Sequence, residues 1–256
     1  MNGLPDSLRG LARSLLPEAL LRSVRGWRRE RTMSAYDGLS AKAAFEKVYA
    51  DREWGAPRHG DSAYYSGDGS HDPDIVTPYV EAAGAFLLGF AEPPDVLDIG
   101  CGDFHVGVRL RPHCGRYTAC DVVEGLIAQN RERYRESDVD FRVLDITAAT
   151  PEFHEVMFVR QVLQHLSNAA IAAALPRIAA SCRYLVLTEH VPAGNFPPNV
   201  DKMTGPDIRL LDGSGVVVTA PPFSLPVKSQ RLLCKVPQYG GMIRTVVYQL
   251  DGHAST

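Results

Sequence analysis

The sequence predicts an α/β fold built on a seven-stranded, mostly parallel sheet with helices on both faces. Between residues 95 and 187, short apolar runs alternate with helical segments, as expected when parallel strands are joined by helical crossovers. Residues 231–236 and 242–249 are rich in β-forming residues and flank a proline- and glycine-containing turn, which predicts a C-terminal antiparallel hairpin. The five predicted parallel strands cover residues 95–99, 117–120, 140–144, 155–159 and 184–187.

Composition and charge narrow the class of protein. The chain has 256 residues, of which 45% are hydrophobic and 22% are charged, and its formal net charge is −3. We expect no nucleic-acid partner, because this charge gives no general attraction to phosphate, and therefore a small-molecule substrate. No apolar run approaches the roughly 20 residues of a membrane span. Five cysteines without CxxC pairing and a start without a signal-peptide pattern predict a cytoplasmic location.

The N-terminal part is expected to be helical. Leucines recur at helical spacing in residues 5–31, which predicts two short amphipathic helices with arginines beside the apolar stripe. Such helices suit an anionic membrane surface or a partner, although a solvated face on a capping helix is the simpler interpretation. We therefore predict a helical extension and cap loop over residues 1–72, followed by the main domain over residues 73–256.

Two further N-terminal features are more local. A helix is predicted over residues 40–51, and the glycine- and serine-rich stretch through residues 66–70 is predicted to be a loop. Thr77 followed by Pro78 is typical of a helix N-cap with proline at the first helical position. We expect the first helix of the main domain to begin there.

Acidic residues follow the first three predicted strands. Asp98 lies at the end of the first strand, directly before a turn that contains Gly100 and Gly102. Glycines let backbone N–H groups come close to a ligand. Asp121 ends the second strand and Asp145 ends the third. Because ligands bind at the carboxyl ends of parallel strands, this pattern predicts a nucleotide-type site in which Asp121 accepts hydrogen bonds from ribose hydroxyls.

These motifs resemble those of the class I S-adenosylmethionine-dependent methyltransferases, whose first motif is an acidic residue, any residue, Gly, any residue, Gly. The resemblance covers roughly residues 96–250 and implies a Rossmann-like fold, with the hairpin as the antiparallel sixth and seventh strands. It implies S-adenosyl-L-methionine as the cofactor. Phe104 stands where many members carry a third glycine, and this departure also disfavours a nicotinamide-dependent oxidoreductase.

The resemblance also assigns cofactor contacts to positions of this chain. From the methionine end through the ribose to the adenine, they are Asp98, Gly100, Gly102, Asp121, Asp145 and Ile146. Arg160, which directly follows the fourth strand, is assigned to the same site.

His165 is the candidate general base for methylation of a hydroxyl group. It follows the fourth strand, and its unperturbed pKa near 6.5 suits proton transfer at neutral pH. A structural role for this histidine is the alternative. Glu189 and His190 end the fifth strand on the same edge, where they are expected to orient His165 or to bind substrate. No metal is predicted, because some relatives use a Glu-x-x-Glu-His cluster in which this chain has Gln161 and Gln164, although other carboxylates leave a divalent ion as an alternative.

The long polar segment over residues 192–214 is predicted to be a lid on the substrate. Residues from this lid and from the N-terminal loop are expected to bind the acceptor, namely Asn199, Asp201, Arg209, Tyr64 and Tyr65. We therefore expect O-methylation of a polar small molecule, such as a sugar or a hydroxylated natural product. The alternatives are a small-molecule N-methyltransferase and a noncatalytic relative that binds the cofactor.

Overall fold

The computed structural model describes residues 29–56 and 63–251. The chain divides into two compact units, residues 1–38 and residues 39–256. The fold and the cavity described below belong to the second unit. The predicted division at residue 72 stays a prediction.

Only the end of the predicted N-terminal helix pair, residues 5–31, lies within the described residues, where residues 29–34 are helical. No helix in the described ranges combines the length and the apolar character needed to cross a membrane.

The second unit contains a seven-stranded sheet in the order β3-β2-β1-β4-β5-β7-β6. Strand β7 is antiparallel to both of its neighbours, and the other neighbouring pairs are parallel. The predicted mostly parallel sheet with a C-terminal hairpin is thus confirmed. The strands are β1 Val96–Ile99, β2 Tyr117–Asp121, β3 Asp140–Val143, β4 His154–Arg160, β5 Cys182–Pro192, β6 Ser229–Gln238 and β7 Gly241–Gln249.

Strand β5 is much longer than the predicted residues 184–187. It pairs with β7 from Tyr184 opposite Gln249 to Pro192 opposite Gly241, so the hairpin extends it beyond its parallel partner β4. The apolar pattern ended at Leu187 because the buried residues that follow it, Thr188, Glu189 and His190, are polar.

Among the described residues of the second unit, six α-helices accompany the sheet: α1 Ala41–Ala50, α2 Asp68–His71, α3 Pro73–Leu87, α4 Gly107–Leu110, α5 Glu124–Arg133 and α6 Asn168–Ser181. The short helix α2 lies partly in the stretch 66–70 that was predicted to be a loop. Helix α3 begins one turn before the predicted Thr77. Asp72 is its N-cap and accepts a hydrogen bond from the backbone N–H of Asp74, with Pro73 at the first helical position. Asp72 and Pro73 thus provide the cap and proline expected at Thr77 and Pro78, and Pro78 lies inside the helix.

Both faces of the sheet are covered. Alternate residues of a strand point to opposite faces, so Leu97 and Met157 belong to one apolar cluster, whereas Val96 and Val156 belong to another. Helix α6 packs into the first cluster and helix α3 into the second, through Ile171, Leu175 and Ile178 and through Tyr79, Ala83 and Leu87 respectively. The prediction of helices on both faces is confirmed.

Candidate active site

A cavity of about 390 Å³ lies along the edge of the sheet where the parallel strands end. Strands β1 to β6 contribute to it through residues at or near their ends. In the order of the strands from β3 to the β6–β7 hairpin, the cavity is lined by Asp145, Asp121, Asp98, Arg160, His190 and Tyr239.

The turn after β1 has left-handed backbone conformation at both glycines, with φ of +69° at Gly100 and +55° at Gly102. A Cβ atom at Gly100 would clash with Cγ2 of Val162, and one at Gly102 would clash with Oγ of Ser66. Glycine is therefore required here both by the backbone conformation and by the close approach of neighbouring segments. The turn leaves its backbone groups facing the cavity.

Two of the aspartates are deeply buried beside this turn. Asp98 accepts a hydrogen bond from the Tyr117 hydroxyl at 3.0 Å, and burial raises its pKa to about 7. Asp121 accepts hydrogen bonds from the backbone N–H groups of Gly102 and Val123, at 3.2 and 3.1 Å. Burial raises the pKa of Asp121 to about 6, although these hydrogen bonds oppose the shift. A ligand that brings hydroxyl donors or positive charge would stabilise both carboxylates.

The remaining cofactor candidates line the same cavity. Asp145 accepts hydrogen bonds from the backbone N–H and the hydroxyl of Thr147, at 2.8 and 2.6 Å, and Ile146 is buried. The guanidinium group of Arg160 lies 4.9 Å from the centre of the Tyr79 ring. It donates hydrogen bonds to the carbonyl of Gly69 and to Oγ of Ser70, while its Nε atom is buried without a partner.

Residues 63–71, which we call the cap loop, are held against the glycine turn. The Ser66 hydroxyl accepts from the backbone N–H of Asp103 at 2.9 Å, and the Ser66 N–H donates to the Asp103 carboxylate at 3.2 Å. His71 Nε2 lies 2.6 Å from the same carboxylate. Burial alone would raise the pKa of Asp103, but the hydrogen bond and charge of His71 hold it below its usual value. Sequence reasoning missed Asp103 and His71; the acidic residue directly after the second glycine was the available signal.

His165 lies at the cavity wall but is only 7% exposed. Its Nε2 atom is 3.3 Å from Nε2 of Gln164, whose Oε1 accepts the backbone N–H of His190 at 2.8 Å. Since the amide nitrogen can only donate, Nε2 of His165 accepts and Nδ1 carries the proton. Burial, reinforced by the charge of Lys202, lowers the pKa of His165 to about 3. The ring is therefore neutral at pH 7, with its lone pair already in a hydrogen bond.

His190 also lines the cavity, with the opposite arrangement of its ring nitrogens. Its Nε2 lies 2.9 Å from the carbonyl oxygen of Gln238, so Nε2 carries the proton and Nδ1 has the lone pair. Burial lowers the pKa of His190. Glu189 is not part of the cavity wall: its Oε1 accepts the N–H of Leu163 at 3.1 Å, its Oε2 is buried without a partner, and burial raises its pKa.

The five predicted acceptor-binding residues do not line this cavity. The Tyr65 hydroxyl donates to Asp68 at 2.8 Å, and its ring stacks on His71, within the cap loop. Tyr64 packs with its ring centre 5.4 Å from that of Tyr49. Tyr65 thus contacts other residues of the cap loop, whereas Tyr64 packs against helix α1.

The predicted lid residues make hydrogen bonds within the protein. Asn199 donates to the carbonyl of Val217 at 2.9 Å, and Asp201 accepts the N–H of Asn168 at 2.7 Å. Arg209 is fully buried, and its guanidinium group donates to the carbonyls of Leu163, Gln164, Leu166 and Val200 and to Oδ1 of Asn168. It connects the segment after β5 to the segment after β4, which carries His165.

Among the described residues, no three histidine, cysteine, aspartate or glutamate side chains are grouped so as to hold a metal ion. All five cysteines are free.

Comparison with known proteins finds similarity to methyltransferases. Residues 96–184 match the family model described as a methyltransferase domain. The crystal structure of the N-methyltransferase NodS from Bradyrhizobium japonicum WM9, in complex with S-adenosyl-L-homocysteine, aligns with a TM-score of 0.55 and 17% identity over 70% of this chain and 88% of that chain. Residues 96–184 are therefore similar to a methyltransferase domain, and the fold is similar to that of an N-methyltransferase.

Two curated relatives match shorter stretches. Nodulation protein S of Sinorhizobium fredii is 32% identical over 78 residues, which are 30% of this chain and 36% of the relative. Malonyl-[acyl-carrier protein] O-methyltransferase of Acetivibrio thermocellus is 42% identical over 57 residues, which are 22% of this chain and 20% of the relative. The chain therefore matches only about a third or less of the length of either curated relative.

Proposed function

We propose that this protein is an enzyme that transfers a methyl group from S-adenosyl-L-methionine to a small-molecule acceptor. The observation that carries the proposal is a single cavity that brings together the glycine turn and the aspartates after β1, β2 and β3. The ends of these three strands are the place where a nucleotide ligand is expected in a parallel sheet.

The residues present fit this cofactor. The cofactor supplies a methyl group on a positively charged sulfur atom, and the raised pKa values of Asp98 and Asp121 indicate carboxylates that gain from a nearby positive charge or hydroxyl donor. The glycine turn provides a close approach that a side chain would fill. The unpartnered Nε of Arg160 suits a carboxylate group at the methionine end.

Thermal-shift measurements test the cofactor assignment. We expect S-adenosyl-L-homocysteine to raise the melting temperature and NAD to leave it unchanged, because a ligand that binds only the folded state stabilises it. Stabilisation by NAD alone would support an oxidoreductase instead. The absence of a shift with either ligand would contradict the cofactor assignment.

For the reacting atom, we propose a hydroxyl oxygen, which benefits from a base that takes its proton. The sequence pointed to His165, but its hydrogen bond and lowered pKa make it a weak base. His190 has a free lone pair on Nδ1 and faces the same cavity, so its hydrogen bonding favours it for this role.

Substitution separates the two histidines. With an acceptor that the enzyme methylates, we expect His190→Ala to lower kcat by about 10²–10⁴-fold while the affinity for S-adenosyl-L-homocysteine stays nearly constant. Since burial lowers the pKa of His190, the basic form is present at pH 7 and activity should fall only at acidic pH. A comparable loss in His165→Ala, with His190→Ala unaffected, would return the base role to His165.

The cap loop enters the proposal as a cover for the active site. The cap loop packs on the glycine turn through Ser66 and His71, which supports a capping role for residues 63–71. Free cysteines throughout support the proposed cytoplasmic, reducing location.

A further inference from the structure

We propose that the acceptor is an uncharged, mainly apolar molecule with a flat ring, and that it binds at the end of the cavity away from Asp98, Asp121 and Asp145. This inference rests on the proposed methyl transfer. We call this region the acceptor end and define it by Phe45, Trp54, Leu166, Ile208, Leu211 and Tyr239, all of which line the cavity.

Aromatic rings form one wall of the acceptor end. The centre of the Trp54 ring lies 5.0 Å from that of His165 and 6.0 Å from that of Phe45. The Trp54 indole N–H donates to the carbonyl of Pro206 at 3.4 Å, which fixes the ring against the segment after β5. Such a wall offers a flat, apolar contact surface to a planar ligand.

The mouth of the acceptor end is apolar as well. Leu211 is 60% exposed and Tyr239 is 77% exposed, and both line the cavity. Single exposed apolar residues are common on protein surfaces. Here, however, the two residues come from distant parts of the chain, the segment after β5 and the β6–β7 hairpin, and line the same cavity. Their shared position is explained by an apolar ligand that covers them.

Two polar side chains near this end, Gln164 and Lys202, are already engaged with the protein. The Gln164 amide bonds to both His190 and His165, and the Lys202 ammonium donates to the carbonyls of His165 and Met203, at 3.1 and 2.6 Å. A sugar would need several hydrogen-bond partners that these groups no longer offer, because leaving its hydroxyls unpaired in a buried site costs free energy. This arrangement disfavours the polyhydroxylated acceptor that the sequence suggested.

Charge excludes a further class of acceptor. Arg160 is the only lysine or arginine among the described residues that line the cavity, and it is bonded to the cap loop. Against it stand Asp68, Asp98, Asp103, Asp121, Asp145 and Asp207. An anionic acceptor would be repelled by this surplus of carboxylates. An uncharged aromatic molecule satisfies both the charge and the apolar wall.

Equilibrium dialysis in the presence of S-adenosyl-L-homocysteine tests this inference with 1-naphthol, 1-naphthoate and glucose as probes. We expect 1-naphthol to bind and the other two to bind at least tenfold more weakly. Methylation assays with labelled S-adenosyl-L-methionine, 1-naphthol and 1-naphthylamine then show whether oxygen or nitrogen accepts the methyl group. Tighter binding of 1-naphthoate or glucose than of 1-naphthol would overturn the inference.

Variants locate the probe. Trp54→Ala and Leu211→Ser should each weaken 1-naphthol binding, the former by about tenfold, because an apolar contact with an aromatic face is lost. Leu88→Ser is the matched control, since Leu88 is 68% exposed and lies outside the cavity. Unchanged 1-naphthol binding in both cavity variants would contradict the inference. Binding of S-adenosyl-L-homocysteine is measured separately and tests the proposed methyl transfer. A failure of the acceptor inference can therefore be distinguished from a failure of the proposed function.

Discussion

The two ends of the cavity are built in different ways. At the end that holds Asp98, Asp121 and Asp145, which we call the cofactor end, each aspartate lies in or directly after one parallel strand. The pairing of the strands therefore fixes the positions of these aspartates. At the acceptor end, the lining comes from helix α1, the segment after β4, the segment after β5 and the hairpin. The comparison teaches that the cofactor end depends on the sheet, whereas the acceptor end depends on contacts between loops.

Arg209 is the strongest of these loop contacts and gives the largest expected effect. Arg209→Met should lower the free energy of unfolding by about 3–5 kcal/mol, because it leaves several buried carbonyl groups without a donor. Urea unfolding measures this loss. Arg135→Met is the control, since Arg135 is exposed and pairs only with surface glutamates.

The same variant tests whether the two ends are separate. We expect folded Arg209→Met to bind S-adenosyl-L-homocysteine almost as well as the native protein, because Arg209 contacts only the loops after β4 and β5. If the free energy of cofactor binding fell by as much as the free energy of unfolding, the two ends would form one cooperative unit.

Substitution of Asp98 should change the free energy of unfolding less than Arg209→Met does, and in the opposite direction. Its pKa of about 7 in the folded protein is far above the value near 3.9 of an unfolded chain. The stability that it contributes is therefore present below about pH 4 and lost as the pH rises to about 7. Asp98→Asn should raise the free energy of unfolding of the ligand-free protein at pH 7.5 by roughly 1–3 kcal/mol.

Urea unfolding at pH 5 and pH 7.5 checks the sign of this effect. The gain from Asp98→Asn should be smaller at pH 5, where the native carboxyl is largely protonated, and cofactor affinity should fall at both pH values. A variant that is less stable than the native protein at pH 7.5 would contradict the burial argument for Asp98.

The difference between the two ends of the cavity also explains which features could be predicted from the sequence. The presence of all seven strands, although not the length of β5, and the aspartates after the first three strands follow from local patterns, because an apolar run and the residues at its end are contiguous in the chain. Trp54 and Leu211 belong to no such local pattern, because only folding brings them to the same cavity. Arg209 illustrates the opposite difficulty: a charged residue in a polar segment suggested substrate binding, but the structure buries it among carbonyl groups.

His165 shows why a residue type and a position are insufficient to assign chemistry. Its place after β4 followed from the pattern, and the structure brings it to the cavity wall. Its proton affinity, however, depends on burial and on the amide of Gln164, which is oriented by a residue 26 positions further along the chain. Those contacts belong to the tertiary structure.

Calorimetric titration of S-adenosyl-L-homocysteine into the native protein and Asp121→Ala tests the central claim most directly. The account predicts binding to the native protein and a loss of about 1–3 kcal/mol in the variant, because ribose hydroxyls lose a charged acceptor. Asp138→Ala, which removes a carboxylate that is almost fully exposed and paired with Arg111, should bind like the native protein. Unchanged affinity in folded Asp121→Ala, or no binding to the native protein, would contradict the account.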